Sequence, residues 1–179
     1  MKILFTLPVL FFIAILLTGC PYESKVALDN SPKVKINSNL VGDWYSISAE
    51  DAKNGKKKDF EFTGSKIVVK KKNELVYIMT KYIIDSTEEY NYDSRYESFL
   101  SEVSGSTFIN ITKLYESEYG KGATYYIYKI KIEDNIVTLY PVSDYIKEKF
   151  NSSDDFKNFV SKYKDLSFFY STEENYSKK

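Results

Sequence analysis

The feature that most constrains this chain is an alternation of apolar and polar residues that begins at Leu40 and keeps returning in short runs broken by turn residues. Runs at 40–49, 57–63, 66–70 and 74–85 are separated by Asn54-Gly55, Gly64-Ser65 and Lys71-Lys72-Asn73. Phe60 and Phe62 share one face while Asp59, Glu61 and Thr63 share the other, the period-two pattern of a sheet with one solvated side. Tyr126, Tyr128, Ile130 and Ile132 repeat that pattern within 123–133, and Asp134-Asn135 makes a tight turn into 136–140. Residues 107–114 add another strand. A mainly β fold follows, and a meander is its economical topology.

Two segments depart from this period. Residues 94–103 fit a short helix, with Ser94 and Glu97 as a capping box and Gly105 as a stop, and fit an edge strand equally well. Beyond Pro141 the period changes to that of a helix. Phe156, Phe159, Val160 and Tyr163 fall at i, i+3, i+4 and i+7, Ser152 or Ser153 caps the start, and Asp154-Asp155 complements the positive end of the dipole. An amphipathic helix is therefore expected at 153–164, lying on the sheet or closing a barrel end. Residues 166–170 read as a last strand, and 173–179 as a charged tail that frays.

Composition narrows the chemistry. The chain has no histidine, which removes the commonest general base, proton shuttle and metal ligand together. With 25 basic and 25 acidic residues interspersed there is no long-range field to gather nucleic acid. The adjacent acids Glu88-Glu89, Asp154-Asp155 and Glu173-Glu174 read as solvated surface or helix caps rather than as a catalytic pair, and no Asp-x-Asp-x-Asp spacing points to calcium. A non-enzymatic protein without metal or dissociable cofactor is expected. Lys56-Lys57-Lys58 and Lys70-Lys71-Lys72 read as solubilising lysines near turns. The 17 tyrosines suit half-buried strand surfaces. They also allow an exposed aromatic face made by Tyr90, Tyr92, Tyr96, Tyr115 and Tyr119, able to bind a protein or glycan partner.

Residues 1–19 set the compartment. Lys2 precedes an apolar run from Ile3 to Leu16, interrupted by Thr6 and Pro8 and shorter than the roughly 20 residues of a spanning helix. The run ends in Leu17-Thr18-Gly19-Cys20, and Cys20 is the only cysteine in the chain. This leader resembles a bacterial lipoprotein signal peptide. The resemblance implies cleavage after Gly19, a diacylglyceryl thioether and commonly a further acyl chain such as palmitate on Cys20, and a membrane-anchored protein outside the cytoplasm, in the outer membrane if the organism has one. A covalent lipid on Cys20 is then the only prosthetic group expected, and two or more acyl chains anchor stably where one does not. A lone cysteine leaves no internal disulfide. Residues 20–39 are polar, contain Pro21 and Pro32, and read as a flexible tether with a reach of about 25 Å.

The first strand opens Asn39-Leu40-Val41-Gly42-Asp43-Trp44-Tyr45, and a Gly-x-Trp in that position resembles the lipocalin signature. It implies a small antiparallel β-barrel or strongly curved sheet, lipocalin-like, over 40–172. In that family the glycine allows close backbone approach at the mouth and the tryptophan plugs the closed end beneath a basic side chain from a late strand. The only arginine, Arg95, lies mid-chain, so Lys129 or Lys131 would have to take that place. The implied ligand is a small hydrophobic or aromatic molecule held in the interior by Trp44, Phe60, Phe62, Tyr126 and Tyr128.

Overall fold

The computed structural model describes residues 21–54, 64–85, 89–114 and 123–178. Among them are strands β1 (Glu23–Ser24), β2 (Gly42–Ile47), β3 (Ser65–Lys71), β4 (Tyr77–Ile84), β5 (Tyr90–Val103), β6 (Ser106–Lys113), β7 (Tyr125–Glu133), β8 (Ile136–Pro141) and β9 (Glu174–Ser177), with helices α1 (Ala49–Asn54) and α2 (Ser153–Tyr163). From β2 onward each strand pairs antiparallel with the next. β9 pairs with both β8 and β2, so eight strands close into an up-and-down barrel. The mainly β, lipocalin-like barrel with a helix near its C-terminus is therefore observed.

Local chemistry explains the turns. Val103 pairs directly with Ser106 across Ser104-Gly105, both at positive φ (48° and 78°), the backbone that matches the twist of a two-residue hairpin. Gly105 is thus a hairpin residue rather than a helix stop, and 94–103 is strand. Its helix-like signal arises because both faces are buried. Ser98 and Leu100 sit on the barrel side and Phe99, Ser101 and Val103 on the other, so alternation dissolves into a continuous run. At α2, Asp155 N donates to Ser152 Oγ at 3.1 Å, the expected cap.

The inward residues Trp44, Ile67, Val69, Tyr77, Met79, Leu100, Ile109, Ile111, Ile130, Val137, Leu139 and Tyr176 form the barrel core. A second core lies outside the wall, where Phe156 and Val160 of α2 pack on Val103, Phe108, Ile127, Val142 and Phe169.

Three expectations are corrected. The segment expected as a fraying tail over 173–179 holds a strand instead: β9 lies within it and closes the barrel with Tyr176 at 5 % exposure, and Lys179 is outside the described residues. Residues 166–170 form a 3-10 turn (Ser167–Phe169) and one isolated bridge rather than a strand. Residues 21–39 are not a loose tether. Pro21 bridges Ser143, Tyr22 N donates to Val142 O at 2.8 Å, and β1 pairs with the start of β7. Tyr22 and Leu28 are buried in the second core, and Leu28 N donates to the Oδ1 of fully buried Asn110 at 2.8 Å. The segment then crosses to the other end of the barrel. There Val34 and Ile36 pack against the interior, and Asn37 N donates to the Tyr77 hydroxyl at 2.5 Å. It is a strap running the length of the barrel, so the folded unit extends beyond 40–172 at both ends. The sequence hid this because its apolar residues obey no period and are buried only by distant partners.

A strap with Leu28 at 1 % exposure makes a sharp expectation. Leu28→Ala is expected to lower unfolding free energy by about 2–5 kcal/mol in urea titration, where a solvated tether would give a change near zero.

Candidate functional site

The barrel has two unlike ends. Connections between β3 and β4, β5 and β6, and β7 and β8 lie at the end sealed by Trp44. Trp44 donates from Nε1 to Leu40 O at 2.7 Å and is 4 % exposed. The ammonium of Lys178, just past β9, sits 4.8 Å from its ring centroid and donates to Asn39 O and Val41 O at 2.8 and 3.0 Å. The basic partner is therefore Lys178, and not Lys129 or Lys131. Those two alternate with inward Tyr128 and Ile130 and so point outward, Lys129 over the Tyr170 ring and Lys131 to Glu133. Gly42 stands at this sealed end rather than at the mouth. Its φ of 134° and the Lys178 Cε lying 3.3 Å from where a Cβ would be explain the glycine.

Above Trp44 the interior is nearly full. A void of about 30 Å³ remains among Trp44, Val69, Tyr77, Ile109 and Val137, room for about one water and no ligand. Toward the open end it gives way to a cavity of about 220 Å³. Ile67, Met79, Ile111 and Leu139 form its apolar wall, Tyr96, Tyr126, Tyr128 and Tyr176 bring hydroxyls, and Lys81, Lys113 and Glu174 supply charge, with Pro21 at the side.

The charges are unequally satisfied. Glu174 accepts from the Tyr176 hydroxyl at 2.9 Å. Lys81 and Lys113 are half-buried, and neither has a carboxylate partner among the described residues. Burial pushes the Tyr128 hydroxyl far above the usual tyrosine range, with the Glu174 carboxylate adding to it, and the same two causes raise Tyr176. Both hydroxyls stay protonated as donors. Beneath the rim the Ser98 Oγ, on the barrel side of β5, is buried and has no hydrogen-bond partner among the described residues. The cavity thus offers a short apolar wall, two cations, one carboxylate and the hydroxyls of Tyr96 and Tyr128, while Tyr176 donates to Glu174 and Tyr126 to Glu23 at 3.1 Å.

Of the residues expected at the site, Tyr126 and Tyr128 line this cavity, Trp44 lies in the sealed end away from it, and Phe60, Phe62 and Cys20 fall outside the described residues. Lys81, Lys113 and Glu174 were not foreseen, although Lys81 falls two residues after inward Met79 and Lys113 two after inward Ile111, a spacing that marks all four as one face. The tyrosine face does not form from its described members. Tyr96 turns into the cavity, Tyr90 stacks edge-on against Tyr45 at 5.9 Å, and Tyr92 alone is strongly exposed; Tyr115 and Tyr119 lie outside the described residues. A shallow outer groove between β7 and the 3-10 turn is also basic. Its Lys129, Lys131 and Lys164 already engage Tyr170, Glu133 and Asp165.

Among the described residues no three His, Cys, Asp or Glu side chains stand together as a metal site, and no helix is long and apolar enough to cross a membrane. The chain matches no protein-family model, and no curated protein or solved structure is significantly similar to it.

The raised tyrosines set the alkaline limit of the fold. Unfolded, Tyr128 and Tyr176 ionise near their ordinary pKa of 10.0; folded, they keep the proton. Their contribution is complete below about pH 10 and is lost as pH rises above it. Unfolding free energy is expected to fall steeply from about pH 10 upward, with part of the phenolate absorbance arriving together with loss of the barrel's circular dichroism. Complete tyrosine ionisation in an intact barrel would contradict this.

Proposed function

We propose that the protein is a lipid-anchored, extracytoplasmic binding protein of lipocalin-like type, non-enzymatic, which holds a small hydrophobic or aromatic ligand carrying an acidic group in the open end of its barrel. The observation that carries this reading is the pair of half-buried lysines, Lys81 and Lys113, which have no carboxylate partner among the described residues and stand beside the apolar wall of Ile67, Met79, Ile111 and Leu139. A charge removed from bulk water without a counter-charge is costly, and an anionic head between the two ammonium groups relieves that cost as the apolar body covers the wall. The anchoring half rests on the leader and Cys20. The tyrosine-face alternative has less support, since its described rings are dispersed.

The anionic naphthalene dye 1-anilinonaphthalene-8-sulfonate matches both halves of the cavity and serves as the probe. Its fluorescence is expected to rise and shift blue with the wild-type domain. Replacing both Lys81 and Lys113 by Gln is expected to weaken binding about tenfold or more, as loss of a charge-assisted hydrogen bond would. Ile111→Trp, which fills the cavity, is expected to abolish it. Unchanged affinity in both variants would reject the site.

Anchoring is tested separately. Cys20→Ser is expected to abolish incorporation of labelled palmitate and leave the preprotein uncleaved, because a hydroxyl does not replace a thiol as the alkylated nucleophile. Normal labelling in the serine variant would reject the anchor.

A further inference from the structure

The charges that line the cavity are sorted by their place on the ring of strands. Going round the barrel from β5, the path through β4, β3 and β2 reaches β9 in as many steps as the path through β6, β7 and β8. β5 and β9 therefore face each other across the interior. Lys81 on β4 and Lys113 on β6 flank β5, Lys81 paired with Ser94 and Lys113 with inward Tyr96, and the Ser94 hydroxyl donates to the Tyr96 hydroxyl at 2.7 Å. Glu174 belongs to β9. It falls two residues before inward Tyr176, shares its face and lines the same cavity, and its carboxylate helps to raise the Tyr128 and Tyr176 hydroxyls. One wall is cationic and the wall opposite is anionic.

The two walls do not neutralise each other. Among the described residues Glu174 forms no ion pair with either lysine, and its side chain accepts from the Tyr176 hydroxyl at 2.9 Å. Backbone ladders on both sides of β4, β6 and β9 hold the charges apart. A guest with an acidic group alone would satisfy the lysines and leave Glu174 half-buried and without a counter-charge, which is costly. We propose that the site selects a dipolar ligand, an apolar body with an acidic group at one end, held by Lys81 and Lys113, and a protonated amine at the other, held by Glu174. This rests on the acidic-ligand reading of the cavity and adds to it the second group and the separation between the two. Met79 runs two residues before Lys81, Ile111 two before Lys113, and Leu139 pairs directly with Glu174, so each charged group borders the apolar wall that covers the body. An α-amino acid, whose two charges share one carbon, reaches only one side.

Two isomers of one composition separate these cases. In 3-[4-(aminomethyl)phenyl]propanoate the ring stands between amine and carboxylate; in 4-methylphenylalanine both charges sit at the same end. With 1-anilinonaphthalene-8-sulfonate bound to the purified protein at neutral pH, the first is expected to displace the dye at a concentration about tenfold or more below that of the second, and of the amine-free 3-(4-methylphenyl)propanoate. Glu174→Gln, which keeps an acceptor for Tyr176, is expected to erase that advantage while the dye and the amine-free acid bind at least as tightly as to the wild type. Equal displacement by the two isomers, displacement by neither, or an advantage that survives Glu174→Gln would overturn the dipolar ligand alone. Absence of dye binding to the wild type would overturn the acidic-ligand reading, and the dipolar ligand with it. The isomer comparison is made in the wild type, so it decides the matter even if the variant fails to fold.

Discussion

Everything in this structure depends on the pairing of β9 with both of its neighbours. Tyr45, Ser46 and Ile47 of β2 face Ser177, Tyr176 and Asn175, and the same short strand faces Ile136 to Leu139 of β8. Without it the sheet would have two open edges and an apolar face exposed along both. With it, the ladder has no end within the ring, and Tyr176 completes the layer of side chains above Trp44. Lys178, two residues further, then reaches Trp44. A strand of four residues thus sets both the closure and the seal.

The interior is graded along its axis. Near Trp44 it is apolar and nearly filled; near the rim, tyrosines carry the wall from apolar to polar, each ring packing with its body and carrying a hydroxyl at its tip. That gradient makes the barrel a shallow cup rather than a hollow cylinder.

The parts legible in the sequence were those whose signals are local. The 133–136 hairpin carries its turn in two residues, α2 its caps and its 3.6-residue period, and Gly42-x-Trp44 its seal. What escaped was burial created by closure. Glu174, Asn175, Tyr176 and Ser177 read as a polar tail because nothing in four residues announces partners as distant in sequence as Tyr45, Ser46 and Ile47. Tyr22 and Leu28 look incidental until Asn110 and α2 cover them. The site was half legible. Period two placed Tyr126 and Tyr128 on the inner face, and the same rule applied to Lys129 and Lys131 would have turned them outward and sent the search for Trp44's basic partner elsewhere.

The position of β9 also bears on how the chain acquires its shape. The strands from β2 to β8 pair with sequence neighbours and can zip as they emerge, but the ring joins the first strand of the barrel to the last. That contact has the longest loop to close and so the largest entropic delay. Until β9 pairs, the strands before it form an open, edge-exposed meander, the form in which strand-on-strand association between copies competes with folding. A barrel built this way closes in one late event, and every strand before β9 waits for it.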